Sequence, residues 1–310
     1  MSTQLKYSFK KESEMFFRTF KLWGIVIAIF SFALANPLMG KFSGVVLEEL
    51  SKTEINAFEQ TAAVEYVRTS AAPDSETEAD DGGMLDGMGL EDMVGIYSDA
   101  SAMCSMSLVS FSTYSLLIAM LVIKAAAGGE QKKRAMIVPL CSGLTNKNYL
   151  VPKFVIYPTA MFVVTFLGGI TSGGLCNALF KYNKTGFDMI ALGSLFMAVY
   201  TTFIITVFLS LGICTSKPGL MVALVFVGQL FLQSLLEGMR LTDYNPFTLI
   251  TVTGAMFTPG AEGYDLAAKA PSILTAIGLS LVICVLMFFL ALGVLNAKKI
   301  DNTEETKPEF

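Results

Sequence analysis

The chain has 310 residues, 53% hydrophobic and 15% charged, with a mean hydropathy of +0.59 and a formal net charge of −4. Soluble domains of this length carry about 25% charged residues, so composition excludes an ordinary water-soluble protein. A sequence pI near 5.1, with most basic residues close to apolar runs, argues against nucleic acid as a partner.

From the N-terminus, residues 8–21 (SFKKESEMFFRTFK) predict an amphipathic helix. Phe9, Phe16 and Phe20 fall on one stripe, with Lys10, Lys11, Glu14, Arg18 and Lys21 around the rest. Such a helix lies in the membrane interface, aromatic face in lipid and basic face toward anionic headgroups. The simpler alternative is a flanking segment that supplies only topogenic charge.

Uncharged runs follow at 22–40, 100–123, 154–180, 189–216, 218–236 and 270–297. Crossing a hydrocarbon core of about 30 Å takes about 20 apolar residues. Lipid offers the backbone no hydrogen-bond partner, so each run must be helical. The expectation is an all-α polytopic membrane protein with six transmembrane helices in a single domain, 1–310. No A-x-A cleavage site follows the first run, which is therefore expected to be retained.

Between these runs, 41–99 is the one sizeable external segment. Its first part is helix-compatible, and its second part (APDSETEADDGGMLDGMGLEDM) is acidic and glycine-rich, as linkers are. Asp80, Asp81 and Asp86 lack the alternating spacing and closing Glu of a calcium loop. Residues 124–153 form a basic loop. In the following run, GGITSGG places Gly169 and Gly173 at small-xxx-small spacing, which favours close helix packing, and Pro158 should kink the helix. Residues 238–269 contain YNPFTLITVTGAMFTPG, too short to cross and too apolar for water, which predicts an external re-entrant or interfacial helix between Asn245-Pro246 and Pro259-Gly260. Residues 298–310 are a polar tail.

Basic residues near the spans set orientation. Lys6, Lys10, Lys11, Arg18 and Lys21 precede the first run. Lys124, Lys132, Lys133, Arg134, Lys147 and Lys153 lie in the loop, Lys217 in the turn between runs four and five, and Lys298, Lys299 and Lys307 in the tail. These fifteen of the 22 basic residues fall on one side, which predicts that both termini and the loop are cytoplasmic.

Much chemistry is absent. There is no histidine, hence no Ser-His-Asp triad. The sequence contains no GxxxxGK[ST], no GxGxxG and no HExxH. The five cysteines form no CxxC pair, so no metal site is expected. Cys104 and Cys176 fall near the outer ends of their runs, where a disulfide is one alternative and buried thiols the ordinary one. The runs themselves hold no firmly embedded charge. Their polar groups are Asn36, Asn177, Gln229 and Gln233, with Ser and Thr. Gln229 and Gln233 share a helical face, which either lines a translocation path or supplies interhelical hydrogen bonds.

This layout resembles the membrane subunits of type-2 ATP-binding-cassette exporters, above all the sodium-extrusion and peptide-antibiotic branches. KKESEMFFRTFKLWGIVIAIFSFALANPLMGKFSGVVLEEL resembles their opening, a basic amphipathic helix running into a span that ends in Pro before a leucine-rich external helix. Residues 124–153 resemble their coupling loop: Glu130 matches its acid, Ala135–Leu140 its apolar helix and Lys153 its closing lysine. The loop departs from the pattern at Gln131-Lys132-Lys133, Ser142-Gly143 and Asn146-Lys147.

The resemblance implies a non-catalytic subunit of the bacterial plasma membrane, with ATP and Mg on a separate ABC ATPase and no cofactor of its own. It also implies a second membrane subunit, in a homo- or heterodimer. Met136, Ile137 and Leu140 would anchor in the ATPase, with Glu130, Lys132, Lys133 and Arg134 around them, while Asn36, Asn177, Gln229 and Gln233 would line the path. The alternative is a stand-alone secondary transporter or channel, which would want embedded charges.

Overall fold

The computed structural model describes residues 3–18, 20–68, 97–123, 144–215, 245–257 and 265–301. Seven helices make up this part: α1 (Thr3–Arg18), α2 (Phe20–Arg68), α3 (Ala100–Ile123), α4 (Asn146–Leu179), α5 (Phe187–Cys214), α6 (Thr248–Ala255) and α7 (Leu266–Asp301). Among the described residues the only β pairing is one isolated bridge, Asp99 with Tyr182. The protein is therefore all-helical there, as composition and run lengths predict.

Four helices contain stretches long and apolar enough to cross a membrane: Trp23–Leu50, Asn146–Leu179, Phe187–Cys214 and Leu266–Ala297. These make the chain a membrane-embedded helical protein. The run at 218–236 lies outside the described residues. α3 has 24 residues in the position expected for the second span.

Helix α5 is the hub. Its most apolar window is 78% buried, against 17% for α7. α4 packs along it most closely, and glycines are the reason. A Cβ at Gly169 would lie 2.6 Å from Ser194 Oγ, and one at Gly173 would lie 2.5 Å from Ile190 Cγ2. On the neighbouring face, a Cβ at Gly168 would meet Ile29 of α2 at 2.9 Å. The small-residue spacing thus works as close packing, and the Ser107 and Ser172 hydroxyls hydrogen-bond across the α3–α4 contact beside it. The Cys104 and Cys176 thiols neighbour each other at this seam, and both are free.

A substitution pair tests this contact. Ile190 is 1% exposed and branched at Cβ, so it has little room to yield. Gly173→Ala is expected to cost about 1–3 kcal/mol and to lower the unfolding temperature in detergent. Gly174→Ala, where a Cβ meets nothing within 4 Å, is expected to be neutral or to stabilise by up to about 1 kcal/mol. Equal effects of the two would remove the close-packing account.

Two elements differ from the sequence reading. The first run and the external helix after it are one helix: α2 continues for 49 residues, about 70 Å, through Pro37 and Gly40. α4 begins at Asn146, eight residues before the uncharged run at 154, with Thr145 capping it by accepting from Asn148 N. It continues through Pro152 and Pro158.

At the far end of α4, the connection to α5 is stitched to the start of α3. Asp99 accepts from Ser101 N at 2.8 Å and from Asn183 Nδ2 at 2.9 Å, while Ala100 N donates to Tyr182 O. Asn183 sits at φ 47°, a left-handed turn conformation that Asn tolerates.

The apolar segment 245–257 does not lie on the surface. Asn245 Oδ1 accepts from Phe247 N at 2.8 Å and starts the turn into α6. Phe247 packs on Tyr200 with ring centroids 6.1 Å apart, Ser105 Oγ donates to Gly254 O at 2.9 Å, and Phe257 closes over Gly193. Protein therefore covers this short helix, the condition under which broken backbone is tolerated at membrane depth. On the outside, Leu281, Val282, Val285, Leu286 and Phe289 of α7 are 55–63% exposed. A face that apolar is suited to lipid rather than water.

Candidate functional site

The site stands at the end of the bundle where α4 begins. On α1, Ser8, Glu12 and Phe16 recur every four residues and form the buried stripe. On α4, Tyr149, Lys153 and Tyr157 repeat the same spacing and face it. Lys153 Nζ lies 3.7 Å from Glu12 Oε1, and the two side chains are 1% and 10% exposed. Tyr157 Oη donates to Glu12 Oε1 at 3.4 Å. The Lys153 ammonium also sits 4.9 Å from the Tyr149 ring centroid, where the ring face attracts a cation.

Apolar and neutral contacts frame the pair. Phe16 meets Tyr157 edge-on at 5.0 Å. Asn148 Nδ2 donates to Gln4 Oε1 at 3.2 Å, holding the N-terminal turn of α1. Asn146 Nδ2 donates to Asn296 Oδ1 at 2.7 Å, tying the start of α4 to the end of α7. Helix α1, the foot of α4 and the last turns of α7 are thus one connected unit.

This corrects one expectation. Phe16 does not face lipid: it is 1% exposed against Tyr157, while Phe17 is 59% exposed. Phe9 is half-buried, and the side chain of Phe20 lies outside the described residues. The docked stripe turns on Glu12, because its carboxylate finds a buried cation. A buried charge also stands just before the uncharged run 154–180. Lys153 lies within the candidate span Asn146–Leu179, seven residues in, or about 10 Å along the helix. An isolated buried ammonium would be expensive; the carboxylate and the aromatic ring offset that cost.

The polar residues expected to line a path have different partners. Asn36 Oδ1 accepts from Tyr114 Oη at 3.1 Å, beneath the stacked Phe32–Tyr114 pair with centroids 4.1 Å apart. Its Nδ2 is buried with no hydrogen-bond partner among the described residues. Asn177 uses both ends of its amide on Thr185, donating to its carbonyl at 2.7 Å and accepting from its N–H at 3.0 Å. That makes Asn177 a clamp on the α4–α5 connection. Gln229 and Gln233 lie outside the described residues, as do Glu130, Lys132, Lys133, Arg134, Met136, Ile137 and Leu140. Among the described residues no group of three or more Cys, Asp or Glu side chains could hold a metal.

The sequence reading missed the Glu12–Lys153 pair. Its signal was the four-residue repeat Ser8, Glu12, Phe16 against Tyr149, Lys153, Tyr157, each with an ion at its centre.

The two ends of the bundle differ in charge. At the α1 end, Lys6, Lys10, Lys11, Arg18 and Lys147 are exposed, and the exposed acid described with them is Glu14. At the opposite end, Lys41, Lys52, Lys181, Lys184 and Lys269 are matched by Glu48, Glu49, Asp99, Asp188 and Asp265. Compared with protein-family models, with curated proteins and with solved structures, the chain matches none.

Proposed function

We propose that this chain is the transmembrane subunit of an ATP-driven exporter of the type-2 ABC class, working with a separate ATPase subunit. The observation that carries the reading is the docking of α1 on the foot of α4 through Glu12, Lys153 and Tyr157. α4 is the helix that follows the basic loop. A partner that grips the loop would therefore pull on α4 and α1 together, and through Asn146–Asn296 on α7.

In this reading the chain has six spans, with the run at 218–236 as the fifth and 245–257 re-entering from outside. Both termini and the loop are cytoplasmic, in a bacterial plasma membrane. Met136, Ile137 and Leu140 dock in the ATPase, with Glu130, Lys132, Lys133 and Arg134 around them. ATP and Mg bind to that partner, and this chain catalyses no reaction. The exposed apolar faces meet lipid and a second membrane subunit. Gln229, Gln233 and Asn36 contribute to the path, and the Nδ2 of Asn36, buried without a hydrogen-bond partner among the described residues, supports its place there.

One observation favours a stand-alone secondary transporter: a buried charge pair exists after all. It sits near one end of a span rather than at the midplane, where carriers place their ion sites, so the exporter reading is preferred. Purification in mild detergent decides between them. The exporter reading expects a P-loop ATPase to co-elute and ATP to be required for transport. Recovery of the chain alone, moving substrate on an ion gradient without ATP, would establish the carrier.

A further inference from the structure

We propose that the outward face of α1, together with Lys147, is a binding surface for the anionic headgroups of the bilayer leaflet against which it lies. The inference needs only a membrane-embedded chain and holds for either transport class.

A floating amphipathic helix presents whichever face the lipid selects. α1 is instead fixed on the protein by Glu12–Lys153, Phe16–Tyr157 and Gln4–Asn148, so its outer face has a set geometry. Burying Glu12 against Lys153 also removes that acid from the surface. What remains is Lys6, Lys10, Lys11 and Arg18 against Glu14, with Lys147 alongside, because Asn148 next to it holds Gln4. The opposite end of the bundle carries as many described cations but an equal number of described acids, so the excess belongs to the α1 end.

The same face exposes Tyr7 at 69% and Phe17 at 59%, and Trp23 at the start of α2 is 58% exposed. Aromatic rings among lysines, at the point where the chain enters a span, fit the headgroup level of a bilayer. An acidic protein surface would satisfy the lysines without asking for exposed rings at the mouth of a span. Charge complementarity and continuity with the span therefore select the lipid.

Trp23 is the sole tryptophan and a native reporter. The full chain is reconstituted in bilayers containing phosphatidylglycerol or phosphatidylcholine with acyl chains brominated near the headgroup, and Trp23 quenching is titrated. The expected result is about a fivefold preference for the anionic lipid at low salt, falling toward unity at 1 M salt, where the Debye length is about 3 Å. Lys6→Gln with Lys10→Gln, Lys11→Gln and Lys147→Gln should abolish the preference. Lys181→Gln with Lys184→Gln, at the opposite end, should leave it unchanged. Equal quenching by both lipids in the native chain overturns the proposal and leaves the face to an acidic protein partner. A preference that survives the fourfold substitution overturns it as well, because the selectivity then arises elsewhere.

Discussion

Glu12→Gln is expected to destabilise the protein by about 2–3 kcal/mol and to release α1, while Glu12→Gln combined with Lys153→Met is expected to cost less than about 1 kcal/mol. The single change leaves the Lys153 ammonium, 1% exposed, facing a neutral amide at the place of its carboxylate. Breaking one partner of a buried pair costs about 3–5 kcal/mol, and replacing both is often close to neutral. The lower figure applies here because the contact is long, at 3.7 Å, and Tyr149 still offers its ring face. In the double variant the Gln amide oxygen still accepts from Tyr157, and Met fills the volume of the lysine stem. Lys153→Met alone should cost about 2 kcal/mol, less than a full buried-charge penalty, since Glu12 is 10% exposed and keeps the Tyr157 donor. Thermal unfolding in detergent gives the stability terms. Tryptic cleavage after Lys10, Lys11 and Arg18, all exposed, reports whether α1 has lifted. Additive single effects would show that Phe16–Tyr157 and Gln4–Asn148 hold α1 unaided.

Ile137→Asp is expected to abolish recovery of the ATPase partner and stop transport, with the chain still inserted in the membrane. If Met136, Ile137 and Leu140 form an apolar anchor in a partner groove, an aspartate there is a buried and unpaired charge, which costs several kcal/mol. A loss of about 3 kcal/mol is about a hundredfold in affinity. Glu130→Gln should weaken transport more than assembly, because an acid near a helix start also favours the helix dipole. Lys132→Gln with Lys133→Gln should act mildly, since exposed charges contribute little singly. Partner pull-down and ATPase stimulation, measured for all variants in the same membranes, separate these outcomes. Full turnover with bound partner in the Ile137→Asp chain would leave the loop only its topogenic charge.

The all-helical, membrane-embedded class was legible in the residues because the free energy of placing a stretch in lipid depends on its own composition. A run such as 189–216 carries that information wherever the rest of the chain goes. The same holds for the glycines. Gly169 and Gly173 recur at a spacing that brings them onto one helix face, and the tertiary structure had only to supply the neighbour, Ser194 and Ile190 of α5. The segment 245–257 holds a helix of only 8 residues, in keeping with the shortness of its apolar stretch. That α3 and α5 would cover it, through Ser105, Gly193 and Tyr200, was not legible.

The foot of α4 was decided by tertiary structure alone. A lysine ends an uncharged run, so hydropathy assigns Lys153 to the loop before the span. A cation is buried at a helix foot only where a partner offsets its desolvation, and its partner Glu12 belongs to the N-terminal helix, whose contact with Tyr157 spans 145 residues of chain. The docked face of α1 followed from the same fact. Phe16 lies on both the aromatic stripe with Phe9 and Phe20 and the stripe with Ser8 and Glu12, and local amphipathicity favours the first. The buried charge pair selects the second. Composition along the chain therefore determined what this protein is made of and the medium it folds in. Which face of its first helix turns inward was set by long-range contacts with α4, the Glu12–Lys153 pair at their centre, a property that no single window of sequence contains.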